Sequence, residues 1–164
     1  MSSQVLSAQA SLALDAWARL LQAHASTTRA LSGSLLAEHG LTLKDYEALL
    51  CLARAEDGRM RRVDLADELM LTASGVTRLL DGLEAGGYVE RASCSTDRRV
   101  VYAVITDAGR DKLETASASH LAEVRALFDA RFGPEELQQL GALLGRLPGA
   151  ENAAGEDCSP ESSA

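Results

Sequence analysis

The stretch from Leu71 to Thr106 constrains this chain most, because two hydrophobic periods meet there without a linker. Val76, Leu79, Leu80 and Leu83 recur at three and four residues, the spacing of one helical face. Thr72 precedes them as an N-cap candidate, and Gly86-Gly87 follows as a left-handed stop. The opposite face carries Ser74, Thr77, Arg78 and Asp81, and Gly75 sits in the first turn. Small hydrogen-bonding residues let a partner approach the backbone closely, and Arg78 has the reach to meet base edges or phosphates. Directly afterwards come two short strand candidates, Tyr88 to Arg91 and Val100 to Ile105, joined by a polar run that ends in Asp97-Arg98-Arg99. A helix followed at once by a ribbon with a basic tip is the layout of a winged helix-turn-helix, whose helix enters the major groove while the wing reaches backbone or minor groove.

The residues of this segment resemble the MarR family of bacterial transcriptional regulators. The resemblance is carried by Glu68-Leu69, Ser74, Val76-Thr77-Arg78-Leu79, Leu83-Glu84, Gly87, Val89, Arg91, Asp97-Arg98-Arg99 and Ile105-Thr106-Asp107-Ala108-Gly109, in matching order and spacing. It implies a mainly α (α+β) fold: a winged helix-turn-helix lobe over 58–106 between long N- and C-terminal dimerisation helices, 7–57 and 107–147. It also implies a homodimer that binds a palindromic operator in double-stranded DNA as a repressor. The expected DNA-binding residues are Arg61, Arg62, Thr72, Ser74, Gly75, Thr77, Arg78, Arg91, Asp97, Arg98 and Arg99.

A length of 164 residues suits one domain, here 1–149, followed by a tail over 150–164. The formal net charge of −8 argues against nucleic acid only if it is spread evenly. It is not: past Leu147 the chain carries Glu151, Glu156, Asp157 and Glu161 and no Lys or Arg, which is half of that net charge. The Ala, Gly, Ser, Glu and Pro composition there predicts disorder. No apolar run is long enough to span a membrane, and Met-Ser-Ser-Gln does not open a signal peptide, so the expected location is the cytoplasm. The three cysteines, Cys51, Cys94 and Cys158, lie far apart and outside any Cys-x-x-Cys spacing, which disfavours a disulfide framework and a zinc site.

From the N-terminus, Ser7 to His39 reads as one long helix through Leu14, Trp17, Leu20, Leu21, Leu31, Leu35 and Leu36. Its apolar face exceeds what a small lobe can cover, which points to a second subunit. Thr42 and Asp45 form a capping-box pattern opening a helix with Tyr46, Leu49, Leu50 and Ala53, and Asp57-Gly58 stops it. Arg59, Arg61 and Arg62 then precede a short helix, Val63 to Met70; these arginines either lie along phosphates or are solvated loop charges. Beyond Thr106 the pattern is helical again, and Gly133-Pro134-Glu135-Glu136 breaks and restarts it before the stripe Leu137, Leu140, Leu143, Leu144 and Leu147.

No Gly-rich phosphate loop, Ser/His/Asp arrangement or His-Glu-x-x-His run occurs, so an enzyme is not expected, and neither are a cofactor or a metal. His24, His39 and His120 read as scattered surface histidines, and Cys51 as a small buried residue. Trp17-x-x-Leu20, Ala23-His24-Ala25, Arg29 and Tyr46-Glu47 resemble a MarR subgroup that includes urate-responsive regulators, although that subgroup often has Asp where Glu47 stands. The resemblance implies a small anionic or phenolic effector held by Trp17, His24, Glu47 and Arg91. Trp17 also fits a core or dimer-interface role, and Arg91 a phosphate or structural one. The reading from another class is a protein-binding winged helix, an antirepressor without specific DNA binding; Arg78, Arg98 and Arg99 weigh against it.

Overall fold

The structure, a computed structural model, describes residues 2–93 and 100–150, with residues 2–10 as backbone. The elements run α1 (Ser2–His39), α2 (Leu43–Arg54), β1 (Arg59–Arg61), α3 (Arg62–Glu68), α4 (Ala73–Ala85), β2 (Val89–Ser93), β3 (Val101–Ile105), α5 (Asp107–Asp129) and α6 (Pro134–Leu144). This is the mainly helical winged helix-turn-helix expected. The chain divides into two compact units, Met1–Leu121 and Ala122–Ala164, with the boundary inside α5.

In the first unit the core is built where the helical stripes meet the sheet. Leu35 of α1, Leu49 and Leu52 of α2, Leu65 of α3, Val76, Leu80 and Leu83 of α4, Val89 and Ala103 of the sheet and Ala116 of α5 are all buried. The sheet is antiparallel in the order β1-β3-β2, with Val89 opposite Ile105 and Met60 opposite Ala103. Strand β1 was not foreseen: the segment read as a basic loop is a strand. Three residues are too few to display a period, and their hydrogen bonds come from β3, some forty residues further on. Met60 is half-buried between exposed Arg59 and Arg61.

Helix ends follow local chemistry. At α2 the Thr42 hydroxyl accepts from the Asp45 N–H and the Asp45 carboxylate accepts from the Thr42 N–H, the capping box expected. That helix stops at Arg54, before Asp57-Gly58, where Ala55 turns extended and a single 3-10 turn follows. Helix α3 spans Arg62–Glu68 rather than 63–70 because Met70 adopts the left-handed conformation at φ 52°. The Leu71 N–H donates to Ala66 O (2.8 Å) and the Met70 N–H to Asp67 O (3.1 Å). Helix α4 closes with the same pair of bonds, Tyr88 N–H to Leu83 O and Gly87 N–H to Glu84 O (both 2.9 Å), around Gly87 at φ 74°. Glycine accepts that conformation freely, whereas a methionine there costs about 1 kcal/mol.

In the second unit, the rings of Phe128 and Phe132 lie tilted to each other at 6.2 Å between centroids, and Arg131 donates to Leu127 O. Pro134 starts α6, and the Glu136 carboxylate accepts from the Gly133 N–H at 2.8 Å. No residue of α6 is buried, and Leu143, Leu144 and Leu147 are exposed. The acidic tail beyond Ala150, like Cys158 within it, lies outside the described residues.

Candidate nucleic-acid interface

Helix α4 presents its polar face because its apolar stripe is fully used. Val76, Leu80 and Leu83 are at most 2% exposed, which turns Ser74, Arg78 and Asp81 outward. Thr72 caps the helix, its hydroxyl accepting from the Gly75 N–H at 3.1 Å and lying 3.2 Å from the Ser74 hydroxyl. The first turn thus offers small side chains at the positive end of the helix. Arg78 is exposed and has no ion-pair partner among the described residues, so its guanidinium is available. Thr77 is less available than expected: half-buried, its hydroxyl donates to Ala73 O (2.8 Å) and accepts from Arg62 Nη1 (3.4 Å).

The other arginines are held by neighbours to different degrees. Arg61 forms a two-point fork with Asp64, Nε at 2.6 Å and Nη2 at 2.7 Å, and this bonding raises its already high pKa further. Arg59 lies over the Tyr102 ring at 5.3 Å and 4.0 Å from Asp57, beside a cleft of about 360 Å³ bordered by Glu56, Arg61 and Asp64. Arg91, on β2, reaches across to α4, where Asp81 and Glu84 both hold it, the latter at 3.1 Å from Nε. Asp97, Arg98 and Arg99, the wing tip, and Cys94 beside them lie outside the described residues.

The Ile105-Thr106-Asp107-Ala108-Gly109 run has a structural reason. Thr106 donates its hydroxyl to Gly87 O (2.7 Å), accepts from the Gly109 N–H (3.0 Å) and sends its own N–H to Tyr88 O (3.1 Å). A single residue therefore caps α5 and fastens it to the turn between α4 and β2. Gly109 permits this approach, since a Cβ at that position would stand 2.2 Å from Tyr88 O.

The four residues expected around an effector are not gathered by either described cleft. Trp17, 58% exposed, and His24, also exposed, project from α1; Glu47 is half-buried and paired with Lys44 at 2.7 Å; Arg91 is occupied by α4. A core role for Trp17 within this chain is excluded by that exposure. The histidines correct another expectation, because only His24 is a plain surface residue. His39 Nε2 lies 2.6 Å from Ser119 Oγ, and His120 packs on Tyr46 at 4.9 Å between centroids, with Tyr46 Oη 3.1 Å from Ser117 Oγ. These contacts join α1 and α2 to α5, and no short spacing in the sequence foretells them. Cys51 is half-buried; burial first, then Glu68 and Glu47, push its thiol pKa up and keep it protonated. No group of ligands suited to a metal ion occurs among the described residues. Nor is any described helix long and apolar enough to cross a membrane.

Comparison with known proteins places this architecture. The MarR family model matches residues 39–100. The repressor YetL of Bacillus subtilis (strain 168), an HTH-type transcriptional repressor, is 30% identical over 111 residues, covering 68% of this chain and 66% of the relative. Among solved structures, AbsC, a MarR family transcriptional regulator from Streptomyces coelicolor, shares 34% identity with a TM-score of 0.74, over 87% of this chain and 95% of that one. Sco3205 from the same organism, a MarR family regulator solved in complex with DNA, shares 28% identity with a TM-score of 0.73, over 78% of this chain and 80% of that one. Matched by the family model over residues 39–100 and similar to AbsC over most of its length, the chain belongs to the MarR family of transcriptional regulators.

Proposed function

We propose that the protein works in the cytoplasm as a homodimeric repressor that reads a palindromic operator through α4 and its wing and releases it when a small molecule binds. The observation that carries the DNA-reading part is the outer face of α4: Ser74 and Arg78 exposed beside a small first turn, with Arg78 unpaired among the described residues. Arg62, beside Thr77 of this face, and Arg59 on β1 are candidates for phosphate. For the wing the reading rests on the sequence alone: Arg98 and Arg99 are its basic pair, and a narrow minor groove favours Arg99. The names of similar proteins agree with the reading, one being a repressor and another a regulator solved with DNA.

The dimer is supported by surface that water disfavours. Leu12, Leu14, Trp17 and Leu21 of α1 are each 48% exposed or more. A symmetric dimer sets two recognition helices about 34 to 36 Å apart, one turn of DNA, so a displacement of a few ångströms lets only one head dock. An anionic or phenolic effector beside Trp17 and His24 would act through that spacing. The test is binding of a palindromic duplex from the gene's own upstream region beside a scrambled duplex, with sedimentation of the protein at micromolar concentration. Preference for the palindrome by a dimer is expected. A folded monomer refutes the dimer, and equal binding of both duplexes favours the protein-binding module.

A further inference from the structure

We propose that Arg91 is a positioning residue, bracing the base of the wing against the recognition helix, and that it serves neither as a phosphate contact nor as an effector ligand. The inference rests on the DNA-reading role given to α4. Its basis is a three-member ion cluster: the guanidinium of Arg91 on β2 is held at once by Asp81 and Glu84, three residues apart on α4. Residues at that spacing share a helix face, so both carboxylates meet one planar fork, and a fork is what a single lysine ammonium cannot supply.

The ribbon needs such a brace. Strand β2 lies at the edge of the sheet and pairs only with β3, and past Val89 its described residues are all exposed. At Arg91 the sheet still has three strands, but past the Ala92–Tyr102 pair β1 ends and only β2 and β3 are paired; a two-stranded ribbon is weakly self-supporting, so its direction relative to α4 depends on what ties its base to that helix. The turn at Gly86-Gly87 is held by its own hydrogen bonds and by Thr106, but these end at Tyr88; the Arg91 cluster is the tie to α4 further along β2. A single exposed ion pair would do little; two carboxylates on one guanidinium hold a direction as well as a distance. Arg91 also cancels negative charge that α4 would otherwise carry next to DNA.

A phosphate contact and a brace predict opposite patterns. Phosphate contacts carry no sequence information, so losing one weakens operator and scrambled duplex alike. Losing a brace misdirects the wing and lowers their ratio. Both affinities are measured at fixed salt for the full-length protein, for Arg91→Ala, for the pair Asp81→Asn with Glu84→Gln, and for all three changes together. The expected result is a fall in the operator-to-scrambled ratio of about fivefold or more in each, with no further fall in the combination, as for coupled residues. In the carboxylate variant, scrambled-duplex binding should rise as negative charge is removed. Arg91→Lys, which keeps the charge and loses the fork, should lower the ratio without weakening scrambled binding. Urea unfolding midpoints equal to the parent's separate misdirection from unfolding. A ratio unchanged in the carboxylate variant, equal loss on both duplexes in Arg91→Ala, or losses that add would each overturn the brace. A parent that binds neither duplex removes the DNA-reading role itself, and the brace falls with it.

Discussion

Two glycine-to-alanine substitutions should move stability in opposite directions, and the reason is one contact. At Gly109, buried in the first turn of α5, a Cβ would lie 2.2 Å from the Tyr88 carbonyl oxygen, with Ile105 Cγ1 at 2.9 Å. An ordinary carbon-to-oxygen approach is about 3.3 Å, so about 1 Å must open between two backbones. Neither backbone is free to give, because Thr106 bonds both Tyr88 O and Gly87 O. Overpacking of this kind costs about 1 to 3 kcal/mol and each strained hydrogen bond about 1 kcal/mol, against a gain of about 1 kcal/mol from placing alanine in a helix. The net expectation for Gly109→Ala is a loss of about 2 to 3 kcal/mol. At Gly82, in the middle of α4, a Cβ would meet nothing within 4 Å. Gly82→Ala should therefore stabilise by about 1 kcal/mol. Urea unfolding of both variants at the same protein concentration as the parent reads the difference, since a dimer's stability depends on concentration. A Gly109→Ala protein as stable as the parent would refute the close approach of α5 to Tyr88.

Met70→Gly should gain about 0.5 to 1 kcal/mol in the same assay, because glycine relieves the left-handed strain and gives back part of the gain as unfolded-chain entropy; a loss would mean that Met70 makes a contact of its own. Arg78→Ala should relax specificity at one symmetric pair of base positions by about 1 to 3 kcal/mol, read by binding to single-base operator variants; uniform weakening across the variants would reassign Arg78 to phosphate. Cys51 should alkylate more slowly with iodoacetamide at pH 8 than a free thiol, because its raised pKa leaves less thiolate below that pKa; tracking by peptide mass across rising pH checks this, and a rate equal to free cysteine would contradict it.

What the sequence discloses here is what local chemistry controls. The cap at Thr72, the box at Thr42 and Asp45, the stripe of α4 and the stop at Gly87 each depend on residues within a turn or two, and the structure has all of them. What it conceals depends on partners far along the chain. Strand β1 is ordered by β3, His39 and Tyr46 meet serines of α5, and the role of Thr106 appears only when Tyr88 lies against Gly109. The candidate interface shows the same division. Its exposed face on α4 follows from the helical period, but the periodicity says nothing of which arginines are already engaged. Arg61 is held by Asp64 and Arg91 by two acids of α4, and the first of these pairs is a local spacing that could have been read.

Those engaged arginines set the expectation for the most direct test of specific DNA reading, a salt titration of operator and scrambled duplex side by side. If Arg59 and Arg62 meet phosphates in each subunit while Arg78 reads bases, a dimer neutralises about four, and the logarithm of affinity should fall with the logarithm of salt at a slope of about −4. Arg98 and Arg99 at the wings would steepen it toward about −5 to −7. Operator binding tighter than scrambled by about a thousandfold or more at physiological salt is the predicted result. Equal affinities across all salts, or no binding at low salt, would contradict it and leave this winged helix as a surface for proteins.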